Sequence, residues 1–246
     1  MWAIPPADVA LTTNQADIWR INLTVDPDLV QSAFTYLSAD EAQRASRFHF
    51  ETDRDHFVVA HACLRRILAR YLPNEPRSIN FSVNEYGKPF LPNREVQFSL
   101  SHSGEYALVG VIRERNIGVD VEQIRTGIEI ESLAGRYFSP LEVSEWMALP
   151  PEQRTLGFFN GWTRKEACIK AQGMGLSLPF DSFDVSLAPD EPAVLRATRP
   201  DPHEAARWTL LSLDIDSDHA GAAAVDGERL NFNFWGWNEM PAHAMG

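Results

Sequence analysis

The chain has 246 residues, a length that fits one large globular unit or two closely joined small ones. Hydrophobic residues make up 44% of it, enough to bury a sizeable core, so a disordered chain is excluded. A formal charge of −12 argues against sequence-independent nucleic-acid binding, which needs a basic surface.

The opening stretch, MWAIPPADVA, lacks a basic segment and is interrupted by two prolines, so it does not read as a signal peptide. No apolar run approaches the roughly 18 residues of a membrane span, and the cytoplasm is the expected compartment. Residues 17 to 25, DIWRINLTV, alternate apolar and polar side chains and predict a half-buried strand. Ser38 with Glu41 three residues on is a capping box, and it predicts a helix reaching about Arg47. A longer helix follows, with Phe57, Ala60, Leu64, Ile67 and Tyr71 on one face, and stops before Pro73. Strands are then expected at 79–83, 96–100, 106–112 and 117–122, joined through Gly87, Pro89, Pro92 and Gly104.

The second half repeats that order. Ser139 and Glu142 form another capping box, with Pro140 at the first helical position. A helix from about Glu152 to Gln172 ends at Gly173 and Gly175, and strands follow at 183–187, 193–197, 208–215 and 220–225. Helices followed by strands, twice over, predict α+β layers built twice, with a seam near Arg113 to Asn116. Cys63 and Cys168 lie inside the helical patterns and are expected to be buried small hydrophobes.

Three clusters carry chemistry. In IGVDVE, Asp120 and Glu122 are two apart on a strand and project from one face, as a hard-cation site or as two solvated acids. In FSLSHSG, Ser101, His102, Ser103 and Gly104 form a turn that can hold phosphate oxygens or is simply a polar hairpin. A serine-hydrolase elbow fails there, because Ser99 and Ser103 stand where it needs glycines. In GWTRKEACIKAQGMG, Glu166 falls between Trp162 and Ile169 on the helix face that should be buried. It is either an ion-pair partner of Lys170 at i+4 or part of a site.

Five stretches in order, EYGKPFLP, FSLSHSG, IGVDVE, RYFSPLE and WTRKEACIKAQGMGLSLPFDSFDV, resemble the Sfp-type 4′-phosphopantetheinyl transferase family. The arginine-bearing EAQRASRFHFETDRD before them fits as well. The chain departs from the family pattern at Ser99 and Leu100, where asparagine and isoleucine or valine are usual. The resemblance implies a pseudo-twofold pair of similar α+β subdomains, residues 1–114 and 115–246, with the active site in the cleft between them. It implies transfer of the phosphopantetheine arm of coenzyme A to a serine of an apo carrier protein, with release of 3′,5′-ADP. Acyl carrier proteins of fatty acid synthesis and carrier domains of polyketide and peptide synthetases are the usual acceptors.

Carried over residue by residue, Asp120, Glu122 and Glu166 correspond to the Mg2+ ligands. Lys170 corresponds to the lysine facing the pyrophosphate, and Arg44, Lys88, Ser101 and His102 to coenzyme A contacts. Asp120, Glu166 and Lys170 form the expected catalytic set, with Glu166 accepting the serine proton and Lys170 stabilising phosphate charge. A monomer that binds no nucleic acid and no membrane is expected. A metal-dependent hydrolase of coenzyme A or a nucleotide is the competing activity, since its metal and phosphate groups would look alike. Carrier docking is expected near Trp146 and Met147.

Overall fold

The computed structural model describes residues 2–237. Its first half runs β1 (Gln15–Asn22), α1 (Pro27–Phe34), α2 (Ala39–Ala45), α3 (Glu51–Ala69), β2 (Ser82–Val83), β3 (Pro89–Phe90), β4 (Val96–Ser103) and β5 (Tyr106–Arg113). The second runs β6 (Ile117–Gln123), α4 (Ile130–Tyr137), α5 (Pro140–Ala148), α6 (Pro151–Gln172), β7 (Phe183–Val185), β8 (Leu195–Thr198), β9 (Trp208–Asp216), β10 (His219–Asp226) and β11 (Asn231–Trp237). The chain is α+β, and its two main sheets repeat one wiring. Each takes a strand, a long helix, then a hairpin whose second strand inserts beside the first strand. The resulting orders are β1-β5-β4 and β6-β10-β9, antiparallel throughout. β11 breaks the symmetry by returning to pair parallel with β1.

Period-2 side-chain alternation explains how the layers stack. On β1, Trp19 and Ile21 face the helix layer while Ala16 and Ile18 face the other sheet. On β6, Ile117, Val119 and Val121 pack between the sheets, so Gly118, Asp120 and Glu122 are turned towards α6. α3 covers the outer face of the first sheet and α6 that of the second. Cys63 on α3 and Cys168 on α6 are both buried, and burial pushes each thiol up to about 12.

The strand expected at 79–83 shrinks to Ser82–Val83, and a short 3-10 turn at Pro76–Ser78 precedes the irregular residues 79–81. The α2 helix ends at Ala45, two residues before Arg47. α1, α4 and β11 were not anticipated. α1 and α4 span only eight residues each, and the apolar positions of β11 are interrupted by Gly236 and two asparagines.

Each half is clamped by its capping box. Ser38 and Glu41 cap α2 reciprocally, and Glu41 also accepts from Arg65 Nε at 2.6 Å. Arg65 donates onward to the Pro76 and Ile79 carbonyls, tying down the segment after α3. Ser139 and Glu142 do the same for α5, where the buried cation is Lys165, 2.9 Å from Glu142 Oε2. Lys165 donates to the Phe180 and Phe183 carbonyls at 2.6 Å, and Glu142 Oε1 accepts from the Val185 N–H. Both members of this second pair are fully buried, so each needs the other.

Burial pushes Glu41 upwards, but hydrogen bonds from His61, Arg65 and the Ser38 N–H outweigh it and hold the carboxyl at about 2 instead of 4.5. A depressed carboxylate contributes stability above its unfolded value and loses it as pH falls through the folded one. Glu41→Gln strands the buried Arg65 and should cost about 3 kcal/mol at neutral pH. In urea melts the gap to wild type should narrow as pH falls between about 4.5 and 2. A gap that stays constant with pH would contradict the clamp.

Candidate active site

Gly118 decides how closely β6 and α6 approach. A Cβ there would overlap the Ala167 carbonyl oxygen and the Ala171 amide nitrogen, so α6 lies directly on the β6 backbone. That contact sets Asp120 and Glu122 against the face of α6 that carries Glu166 and Lys170. Asp120 is 2% exposed, and its Oδ1 accepts from Lys170 Nζ at 2.6 Å and from Ser101 Oγ at 2.8 Å. Lys170 also donates to Ser101 Oγ at 2.9 Å. The ion pair open to Glu166 and Lys170 at i,i+4 is therefore not what Lys170 makes. Its ammonium is spent on Asp120.

Asp120 Oδ2 is buried with no hydrogen-bond partner, a costly arrangement for a carboxylate. Burial raises the Asp120 pKa, against the pull of Lys170 and Ser101. Burial and then the Asp120 charge raise Glu122, and burial with the Asp120 and Glu122 charges raises Glu166. Burial disfavours the Lys170 ammonium, but Asp120, Glu166 and Glu122 together raise its pKa. Three carboxylates thus face one ammonium, and the surplus negative charge with an orphaned oxygen suits a hard divalent cation. Among the described residues, no three such side chains converge closely enough to form a complete ion cage.

The FSLSHSG strand performs a structural task that its sequence had not disclosed. Ser99, Ser101 and Ser103 Oγ accept the backbone N–H groups of Val119, Val121 and Gln123. β6 is an edge strand, and these hydroxyls stand in for the missing neighbour. Ser103 also donates to Glu122 Oε2 at 2.9 Å, which fixes that carboxylate as Ser101 fixes Asp120. The Ser-x-Ser-x-Ser period was the available signal.

A cavity of about 410 Å3 opens beside this cluster, and Arg44, Lys88, His102, Glu166 and Lys170 all line it. Ser101 and Asp120 lie behind Lys170, bonded to it. Lys88 reaches the cavity from the β2–β3 hairpin, donating to the Ala171 and Ile117 carbonyls. Asn84 of the same hairpin donates to the Gly173 carbonyl at 2.7 Å, docking it on the C-terminus of α6. Gly173 takes φ of 71° there, the left-handed helix cap. Burial lowers the Lys88 ammonium to about 8. His102 is exposed at the rim, yet desolvation by the cavity walls, then the charges of His61, Lys170, His56 and Arg44, push it down to about 4. His61 also lines the cavity and had no local motif to announce it, whereas Tyr86, another lining residue, belongs to the EYGKPFLP stretch. Glu122 opens instead onto a groove of about 210 Å3 lined by Leu133, Phe158, Phe159 and Trp162, with Gln123 and Arg125 at its polar side.

Lys165, next to Glu166 in the chain, is buried against Glu142 and the Phe180 and Phe183 carbonyls. Trp146 is 1% exposed and donates to the Arg154 carbonyl, so only Met147 of the expected docking pair is exposed.

The 4′-phosphopantetheinyl transferase superfamily model matches residues 116–224, and the 4′-phosphopantetheinyl transferase, N-terminal model matches 26–113. The chain is 37% identical over 238 residues to 4′-phosphopantetheinyl transferase HetI of Nostoc sp., spanning 95% of this chain and 97% of that protein. It is 33% identical over 157 residues to 4′-phosphopantetheinyl transferase Sfp of Bacillus subtilis, spanning 63% and 69%. Among solved structures, the holo-[acyl-carrier-protein] synthase of Thermotoga maritima aligns with a TM-score of 0.37 and 21% identity, covering 46% of this chain and 64% of that one.

The close approach at Gly118 makes a direct prediction. Gly118→Ala should lift α6 from β6, lower stability by about 1–3 kcal/mol in urea unfolding, and reduce turnover more than binding of nucleotide. Unchanged stability would contradict the contact.

Proposed function

The chain belongs to the 4′-phosphopantetheinyl transferase family, and we propose that it moves the phosphopantetheine arm of coenzyme A onto a serine of an apo carrier protein, releasing 3′,5′-ADP. The observation that carries the reading is one cavity in which the cations Lys88 and Arg44 meet Glu166 and Lys170, with His102 at the rim. A protein of formal charge −12 must gather cations locally to bind a polyphosphate, and this cavity gathers them.

The roles divide along the cavity. Arg44, Lys88 and His102 hold the nucleotide, whose pyrophosphate lies towards Lys170. The groove beside Glu122 suits the pantetheine arm, which is long and uncharged. Lys170 gives up part of its contact with Asp120 to stabilise charge on the transferring phosphate oxygens. Glu166, whose pKa is raised by burial and by Asp120 and Glu122, takes the proton of the incoming serine. Asp120 and Ser101 position Lys170. Asp120, Glu122 and Glu166 are the residues that would hold Mg2+, and the orphaned Asp120 Oδ2 is the feature that favours this. When bound, the ion supplies charge neutralisation at the pyrophosphate, making the nucleotide a better leaving group. No serine of this chain need be a nucleophile, since the carrier brings its own.

The family membership does not favour the hydrolase alternative. The reading extends to a cytoplasmic monomer of two α+β halves, 1–114 and 115–246, acting on acyl or peptidyl carriers. No helix among the described residues is long and apolar enough to cross a membrane.

Mixing the protein with coenzyme A, Mg2+ and an apo carrier should add a phosphopantetheine-sized mass to the carrier. Glu166→Gln should lower kcat by about 100-fold or more. Nucleotide release without carrier modification would instead support hydrolysis.

A further inference from the structure

Outside the cavity, a histidine is buried at the same end of β6 as Glu122. His219 begins β10, lies opposite Gln123 in the β6–β10 ladder, and is 6% exposed. The β4–β5 turn straddles its ring. Tyr106, the first residue of β5, packs edge to face against it with centroids 5.0 Å apart. Gly104, at φ of 56°, sits on the other side, where a Cβ would come within 2.7 Å of His219 Nε2 and 3.1 Å of the Gln123 side chain. Nε2 is buried with no hydrogen-bond partner among the described residues. That orphan is costly, and an apolar ring would fill the space without the cost. What an apolar ring would lack is Nδ1, which lies 2.9 Å from Asp216 Oδ1. The same oxygen accepts from the Asp218 N–H at 2.8 Å, and the Tyr106 hydroxyl meets the same carboxylate. With an acceptor at Nδ1, the ring donates there whether it is neutral or charged, so the tie does not depend on titration.

We propose that His219, anchored by Asp216, is a positioning residue for Glu122: it fixes the β4–β5 turn against the end of β6 and so keeps Ser103 on that carboxylate. Ser103 closes β4 at this turn, where it donates to Glu122 Oε2 at 2.9 Å and accepts from the Gln123 N–H at 3.1 Å. The turn belongs to the first sheet, whereas Glu122, Asp216 and His219 belong to the second. His219 thus supplies from the second sheet the seat on which the first presents its hydroxyl. Freeing the ring from Asp216 lets the turn shift without breaking a ladder bond of either sheet. The inference rests on the transferase reading and adds to it a residue that touches neither substrate nor cation. A partner that orients a metal-ligating carboxylate from behind tunes cation affinity, and here the chain of contacts is Asp216, His219, the turn, Ser103 and Glu122.

The test is a double-mutant cycle on Ser103→Ala, His219→Phe and the pair, since phenylalanine keeps the ring and removes only the tie to Asp216. Mn2+ binding in the presence of coenzyme A is followed by electron paramagnetic resonance, and carrier loading is measured alongside. Ser103→Ala should weaken Mn2+ by about tenfold, and His219→Phe by about threefold to tenfold. In loading, kcat should fall by similar factors while KM for coenzyme A changes by less than about twofold. Because both residues act through one hydrogen bond, the pair should lie within about twofold of Ser103→Ala. Unchanged Mn2+ binding in His219→Phe, or losses that multiply in the pair, would overturn the positioning role. The Mn2+ titrations judge His219 whatever the acceptor is, whereas wild type that binds Mn2+ and coenzyme A yet loads no carrier counts against the transfer reaction.

Discussion

The site depends on one contact: the backbone of β6 at Gly118 lying against the backbone of α6. Strand periodicity puts Asp120 and Glu122 on the same face as Gly118, and helix periodicity puts Glu166 and Lys170 on the face that meets it. With the elements this close, Lys170 reaches the buried Asp120, and burial together with the Asp120 charge raises the pKa of Glu122 and Glu166. A side chain at residue 118 would meet the α6 backbone and separate Asp120 and Glu122 from Glu166 and Lys170. Ser101 and Ser103 complete the arrangement from β4, each holding one carboxylate of β6 and one of its edge N–H groups.

Duplication supplies the frame and divergence supplies the chemistry. Both halves use a capping-box glutamate, a buried cation on the long helix, and carbonyls of the segment beyond it. The residue after each clamp cation differs. In the first half it is Arg66, laid over Tyr36 and Trp237; in the second it is Glu166, which faces the cavity. One helix thus covers aromatic surface with a cation, while its counterpart presents a carboxylate. The cavity lies where the halves meet: the β2–β3 hairpin of the first docks through Asn84 on the end of α6 in the second.

Much of this was legible in the chain. Both capping boxes, both long helices and the pairing of Asp120 with Glu122 on one strand face follow from local spacing, and the structure has them. The placement of Glu166 on a face that should be buried was the local oddity, and it lies half-buried beside Lys170 in the cavity. Long-range partners were not legible. Nothing near Lys165 says that it meets Glu142, and nothing near His61 says that it meets Glu41, because each pair is brought together only by packing. β11 escaped for a related reason. It is a short, polar-interrupted stretch whose place beside β1 is a property of the whole sheet.

In the proposed function, the β6–α6 contact assembles a cation-binding carboxylate cluster with Lys170 as the phosphate partner. The most direct test is anomalous scattering from crystals grown with Mn2+ and coenzyme A. One Mn2+ peak is expected against Asp120 Oδ2 with Glu122 and Glu166 around it, and Lys170 Nζ on a phosphate oxygen. Bound coenzyme A with no peak at these carboxylates, and Lys170 still on Asp120 alone, would contradict it.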